Sequence, residues 1–430
     1  MMFIETTERM KLLSAEKTVI IGGGAAGLIA GIFSSKNGRD TTIIEKNIKP
    51  GRKLYITGKG RCNVCNNCDE KTVIANSPNN GRFLYSALST FSPSDTMAFF
   101  EKHGCPLKTE RGNRVFPVSD KAADIVDTLF NAVKRSGCKI INDNVIDIII
   151  EDGRISGVML DNGGLLTCSK VIIATGGCSY PLTGSTGDGY TFARKAGHTV
   201  TDIRPSLVPL ETAEHFGYDS QGLLLKNVAI RVIDTVKKNK CIYTDFGELE
   251  LRRYGLSGAI IRSASAHMKN MENGRYLIEI DLKPALSEET LDARILREID
   301  AAKTGSYKDL LALLMPRALI EDFVKISAVP ADRRLCELTK NERKAVITNL
   351  KKMTRTVTGF RPIEEAIVTS GGVSVKEIDP KTMQSKLVQG LYFAGEVIDV
   401  DCYTGGFNLQ TAFSTGVLAA LSYNQRPHKL

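Results

Sequence analysis

A chain of 430 residues, 42% hydrophobic and 24% charged, can fill two or three domains around a large core and has the make-up of an ordinary globular protein, not a fibrous or low-complexity one. Its formal charge of +9 is spread along the sequence, with only short clusters such as Lys237-Lys238-Asn239-Lys240, so it reads as a solvated surface that attracts anionic cofactors, and nucleic acid is not the expected partner. No apolar run approaches a membrane span, residues 1–16 carry acids and lack a signal-peptide core, and ten irregularly spaced cysteines suggest reduced thiols in a cytoplasmic protein.

The first element is the short β-branched run Thr18-Val19-Ile20-Ile21, which has the pattern of a strand buried on both faces of a parallel sheet. Gly22-Gly23-Gly24-Ala25-Ala26-Gly27 follows at once as G-x-G-x-x-G. Gly22 suits the tight turn, Gly24 the approach of a pyrophosphate, and Gly27 the packing of helix on strand. A helix through Leu28, Ile29, Ala30, Ile32 and Phe33 aims its positive end at those phosphates. The next strand, Thr41 to Ile44, ends on Glu45, placed to accept hydrogen bonds from ribose hydroxyls. Strand, glycines, helix, strand and acid in that order predict a bound ADP-containing dinucleotide.

Residues 46–67 show neither helical nor strand periodicity and are dense in glycine and basic residues, among them Lys46, Arg52, Lys53, Lys59, Gly60 and Arg61. A loop of that length in a compact domain usually has a function, and this one suits a polyanion. Apolar spacing from Asp120 to Lys134 predicts a helix with Ser119 as its N-cap. Strand-like runs follow at 139–141, 145–150 and 155–160, then the buried run Val171-Ile172-Ile173-Ala174 ends on Thr175-Gly176-Gly177. Residues 183–189 lead into another helix and either line the cofactor pocket or only cap that helix. Strands beyond Pro205, including 228–236, 241–244 and 276–282, predict a separate antiparallel β domain, and leucines at helical spacing over 287–350 predict a helical insertion. The chain then returns through 355–360 and 366–372 to a last strand, Leu391 to Ala394. The expected division is 1–200 with 373–430, 201–286 with 351–372, and 287–350. The expected class is α/β, with a Rossmann-like domain built from both chain ends.

Several stretches together resemble the BaiN/RdsA-like family of NAD(P)/FAD-dependent oxidoreductases, over almost the whole chain. They are Gly51-Arg52-Lys53-Leu54, Thr57-Gly58-Lys59-Gly60-Arg61-Cys62-Asn63, Arg114-Val115-Phe116-Pro117-Val118-Ser119, Ala174-Thr175-Gly176-Gly177, and Ala394-Gly395-Glu396-Val397 leading into Gly405-Gly406-Phe407-Asn408-Leu409-Gln410. The resemblance implies FAD as cofactor, NAD(P)H as a transient electron donor, and reduction of an organic small molecule such as a steroid or other enone. It also implies cofactor contacts at Gly22, Gly24, Ala25, Ala26, Gly27, Glu45, Lys46, Arg52, Lys53, Gly60, Arg61, Cys62, Asn63, Val145, Ala174, Thr175, Gly176, Gly395, Glu396, Asp399, Gly405, Gly406, Phe407 and Asn408. Gly405 to Gln410 opens a helix whose amides suit the N1/O2 edge of a flavin.

No catalytic acid or base is identified. Glu396, Asp399 and Asp401 resemble paired carboxylates, yet the resemblance places Gly395-Glu396 at the cofactor. Cys62, Cys65 and Cys68 form C-x-x-C-x-x-C without a fourth local ligand, since the next steps fall on Lys71 and Thr72. No metal is expected. Where many relatives have Thr-His before Gly-Leu-Ser-Gly-Pro, this chain has Arg252-Arg253-Tyr254-Gly255-Leu256-Ser257-Gly258-Ala259, a pair suited either to an anion or to exposed structural arginines. Only one G-x-G-x-x-G follows a strand, so a nicotinamide donor has no second dinucleotide domain of that kind. Two other readings stay open: an oxidase of a small amine or hydroxy compound, and a non-catalytic flavoprotein that senses redox state or binds nucleic acid. The oligomeric state is not readable.

Overall fold

The computed structural model describes residues 17–302 and 304–422; the reading of residues 1–16 lies outside them. Five parallel strands form the central sheet: β1 (Thr18–Ile21), β2 (Thr41–Glu45), β3 (Lys139–Asn142), β4 (Lys170–Ile173) and β5 (Leu391–Phe393), in the spatial order β5-β4-β1-β2-β3. Val19 lies beside Thr42 on one side and Val171 on the other, and Val171 lies beside Leu391. Every residue of β1, β2, β4 and β5 is buried, which is why they are apolar or β-branched runs apart from Glu45 at the end of β2 and Lys170 at the start of β4. Because the strands run one way, Gly22, Glu45, Asn142, Ala174 and Ala394 follow or end them along one edge, the edge at which open α/β sheets bind ligands.

Helix α1 (Ala25–Lys36) follows β1 and helix α2 (Phe407–Leu421) follows β5. The two pack closely: a Cβ at Gly416 would lie 2.6 Å from the Ala26 carbonyl oxygen and 2.7 Å from Ile29 Cγ2. The far end of α2 is held by two buried cations. Lys170 Nζ donates to the Ala419 and Ser422 carbonyls at 2.7 and 2.6 Å, and Arg39 donates to those of Ala420 and Ser422. These groups satisfy carbonyls that the helix leaves unpaired and sit at its negative end. Segments before Leu207 and from Ile367 onward thus form one unit.

Helix Ala122–Ser136 begins after Lys121, so Ser119 is not its N-cap. Asp120 has φ +57°, which turns the chain between Ser119 and the helix, and its carboxylate binds Arg61 and Lys108 instead. The stretch after Glu45 contains a short helix, Arg52–Ile56, and a tight turn, Thr57–Gly60; five residues are too few to show a period. Val145–Glu151, Arg154–Leu160 and Leu165–Thr167 form an antiparallel three-stranded sheet between β3 and β4.

The chain divides into two compact units, one up to Ser206 and again from Ile367, the other Leu207–Ala366. Arg204–Ser206 and Val368–Ser370 pair with each other in the first unit. In the second, Leu210–Thr212, Gly255–Ser257, Lys240–Arg252, Leu224–Asp234, Tyr276–Asp281 and Met353–Phe360 close into a barrel in that spatial order. Helices Glu288–Ala301, Tyr307–Leu314, Ile320–Ser327 and Lys340–Lys351 share the barrel's apolar core, with Leu291, Leu310 and Phe323 buried alongside Ile278 and Ile280. Among the described residues no helix is long and apolar enough to cross a membrane.

Candidate functional site

The site grows from the carboxyl edge of the sheet. Gly22 has φ +102°, and a Cβ there would lie 2.7 Å from the Ala174 carbonyl oxygen; only glycine lets β1 turn beside β4. A Cβ on Gly27 would strike the Gly22 carbonyl oxygen, so this glycine seats α1 on the strand. Gly24 differs. Its φ is −82°, and a Cβ there would meet nothing within 4 Å. Neither backbone nor packing requires glycine, which leaves the space in front of α1 as the reason. Gly24 is the N-cap and makes no side-chain cap, so the first amides of α1, at Ala25, Ala26 and Gly27, face that space without a side-chain acceptor from their cap.

Glu45, 8% exposed, stands beside this opening. Its carboxylate accepts from Gly23 N at 2.6 Å and from Asn47 N and Nδ2 at 2.8 and 2.7 Å. Asn47 in turn accepts from Arg52 Nη1 at 2.9 Å, and Lys46 reaches Asp188 and Thr186 at 2.6 and 2.5 Å. Lys53 bridges Ser179 Oγ and Glu396 Oε2, both at 2.7 Å. Glu396 Oε1 accepts from Thr369 N at 2.8 Å and Ser179 Oγ at 3.2 Å. Gly395 is fixed by Thr415, whose Oγ1 accepts from its N–H at 2.9 Å, and a Cβ there would lie 2.9 Å from Ala26 Cβ. Ala174 is buried, and Gly176 has φ +76° beside Ser185.

A second part forms at the start of α2. Gly405 and Gly406 have φ of +129° and +98°, and a Cβ on Gly406 would run into the backbone of Cys65. Asn66 Nδ2 donates to the Gly405 carbonyl at 3.0 Å. Asn408 holds the preceding turn: its Oδ1 accepts from Cys402 N at 2.9 Å and its Nδ2 donates to the Cys402 carbonyl at 2.7 Å. Phe407, the first residue of α2, is buried. Cys62 and Cys65 are buried free thiols; burial pushes the Cys62 thiol up to about 12 and that of Cys65 higher still, the opposite of a redox-active thiolate. Among the described residues no cluster of His, Cys, Asp or Glu could hold a metal.

The structure therefore brings Gly22 to Gly27, Glu45, Ala174 to Gly176 and Gly395-Glu396, with Lys53 on Glu396, together at the carboxyl edge of the sheet, and Gly405 to Asn408 against the segment following Cys62 and Asn63. Arg61 is directed elsewhere, paired with Glu110 and Asp120 at 2.5 Å and stacked over Phe116. Gly60, at φ +84°, belongs to the turn before it. Val145 is buried just beyond β3, where Asn142 Nδ2 donates to the Glu45 carbonyl at 2.9 Å. Asp399 is half-buried in the loop between Glu396 and Gly405. Ser179, Thr369, Asn47 and Asn66 are site residues that sequence reasoning did not single out; their partners lie far away in the chain, and no local pattern marks them.

The residues fit a flavin dinucleotide. The open space over Gly24 is a cradle that a Cβ would begin to fill, and two buried polar atoms in the same unit, Asn63 Oδ1 and Thr175 Oγ1, have no hydrogen-bond partner among the described residues. Such atoms are rare in proteins unless something else pairs with them.

The class is that of the FAD-dependent oxidoreductases, shown by the family and relatives that the chain matches. The chain belongs to the family described as HI0933-like protein Rossmann domain, whose model matches residues 16–422. It is 29% identical over 413 residues to the 3-dehydro-bile acid delta(4,6)-reductase of Clostridium scindens, covering 95% of this chain and 99% of that one. It is 31% identical over 399 residues to the ribosomal RNA dihydrouridine synthase of Escherichia coli, covering 92% and 95%. In fold it is similar to the 3-ketosteroid delta1-dehydrogenase of Sterolibacterium denitrificans, with a TM-score of 0.52, 13% identity and coverage of 95% and 99%.

Proposed function

We propose that this protein takes a hydride from NADPH or NADH and delivers it to a carbon–carbon double bond conjugated to a carbonyl in a small molecule. The observation that carries the reading is a chemistry common to two differently named kinds of relative. A delta(4,6) 3-dehydro-bile acid and the uracil ring of uridine both place C=C next to C=O, so the carbonyl takes up electron density as hydride reaches the far carbon.

Bound FAD supplies the ring that accepts and returns the electron pair. The chain's own residues hold and orient. In this reading Glu45 accepts from ribose hydroxyls, the N-terminal amides of α1 bind the pyrophosphate, and Lys53 with Glu396 fixes the middle of the cofactor. The amides at Gly406, Phe407 and Asn408 stabilise negative charge on the flavin. All ten cysteines are free thiols, which supports work in a reducing, cytoplasmic setting.

Anaerobic stopped-flow tests this. The expected result is bleaching of the flavin by NADPH or NADH and return of its colour on mixing with a steroid enone. Return of colour only with uridine-containing ribosomal RNA moves the same chemistry to an RNA substrate. No bleaching by either nucleotide, or bleaching by an amine or hydroxy acid with peroxide formed in air, refutes the proposal.

A further inference from the structure

Two glycines in a row leave the peptide between them free to turn over. At the start of α2, Gly405 has φ +129° and Gly406 φ +98°, and glycine populates both signs of φ. Packing demands the pair: a Cβ on Gly405 would lie 2.9 Å from Phe407 Cε2, and one on Gly406 2.3 Å from the Cys65 carbonyl oxygen. In a trans peptide the C=O and N–H point in opposite directions. Turning this plane over would therefore exchange the Gly406 N–H for the Gly405 carbonyl oxygen, a donor for an acceptor.

Asn66 holds the plane. It is 5% exposed, and its Nδ2 donates to the Gly405 carbonyl and to the Gly112 carbonyl, each at 3.0 Å. Two carbonyl oxygens at that distance are met only by the NH2 of a carboxamide, so both of its hydrogens are engaged. Asn66 is itself fixed by neighbours. It pairs with Arg114, and Cys65 with Val115, in an antiparallel ladder; its carbonyl accepts from Cys68 N at 2.9 Å, and Asn67 N donates to the Asn113 carbonyl at 2.7 Å. The Gly406 carbonyl accepts from Gln410 N at 3.1 Å. The Gly405 carbonyl is thus tied to a paired strand, and the Gly406 N–H points the opposite way, with no acceptor among the described residues.

We propose that Asn66 is a positioning residue for flavin reduction: by holding the Gly405 carbonyl it keeps the Gly406 N–H aimed at the flavin's N1/O2 edge. The inference rests on the reading above, in which that amide stabilises negative charge on the flavin. Asn66 acts through the Gly405–Gly406 peptide and not by a contact of its own. Its bond to Gly112 secures a hairpin tip, a structural duty that the test separates from the first.

The test uses the full chain loaded with FAD. Asn66→Asp sets oxygens against both carbonyls, and Asn66→Leu removes the donors at nearly the same size without adding a charge. In both, spectroelectrochemistry should find flavin reduction about tenfold less favourable, a potential about 30 mV more negative for a two-electron couple. Infrared spectra with FAD carrying 13C at C2 should show the C2=O stretch at higher wavenumber, as its hydrogen bond is lost. Gly112→Ala is the control: its φ of +76° strains any side chain, while the added Cβ meets nothing within 4 Å. Its urea midpoint should fall with potential and stretch unchanged. A wild-type potential and stretch in either Asn66 variant, an equal shift in Gly112→Ala, or loss of FAD from both Asn66 variants overturns the assignment. Failure of the wild type to reduce any enone sinks the functional reading and leaves the shifted potential standing.

Discussion

Replacing Lys170 with methionine tests whether the two ends of the chain are locked together through α2. The Lys170 side chain is fully buried and its ammonium donates to the Ala419 and Ser422 carbonyls, with a longer contact of 3.4 Å to Ala420; it also lies 4.2 Å from the centre of the Tyr392 ring. Each charge-assisted hydrogen bond contributes about 1.5–3 kcal/mol, and a cation at a helix carboxyl end adds up to ~2 kcal/mol. Dehydrating the ammonium costs several kcal/mol, which offsets much of that sum. Methionine also fills most of the volume, and Arg39 keeps its hold on Ala420 and Ser422, so the unmet group is chiefly the Ala419 carbonyl. The expected loss is about 2–4 kcal/mol, read as the shift in urea midpoint followed by release of flavin fluorescence. FAD should dissociate faster, because the Gly406 turn sits about 22 Å away at the other end of the same rigid helix. Lys139→Met serves as control: Lys139 and Asp40 pair at 3.4 Å with 69% and 48% of their side-chain surfaces exposed, a pair worth less than about 1 kcal/mol. If Lys170→Met costs no more than this control, the buried clamp does not hold the fold together.

Gly24→Ala should leave the stability of the apoprotein within about 0.5 kcal/mol of wild type and weaken FAD by tenfold or more, about 1.4 kcal/mol, as measured by flavin titration. Gly27→Ala, with its Cβ against the Gly22 carbonyl, should instead destabilise the apoprotein itself. Burial of His198, 4% exposed, lowers its pKa despite the opposing pull of Glu377. The unfolded chain therefore takes the proton first, and this contribution to stability, complete above about pH 6.5, declines as the pH falls until the folded ring is protonated too. His198→Gln should flatten that slope in urea midpoints taken across the range; an unchanged slope would contradict the assignment. Among the thiols, exposed Cys336 should alkylate first, while Cys62, Cys65 and Cys402, buried and with raised pKa values, should react only on unfolding, as mass spectrometry of timed samples can show.

What the amino-acid order alone determined is the part of the molecule written in short-range terms. The run Thr18 to Glu45 could be read because strand, glycine turn, helix and acid are adjacent in sequence, and each residue type answers a local demand of backbone angle, burial or dipole. The barrel closure of the second unit was not visible in the same way: strands announce themselves by period, but the order in which six of them pair is set by non-local register. The loop after Glu45 announced its importance through composition. Its partners did not show, because the Lys53–Glu396 and Lys53–Ser179 contacts join residues 343 and 126 positions apart, and Arg61 turned to Glu110 and Asp120 because Phe116 and those acids lie under it in space. Tertiary structure also separated the carboxyls of Glu396, Asp399 and Asp401, since neighbours brought in from distant segments decide which is hydrogen-bonded on both oxygens and which is chiefly desolvated.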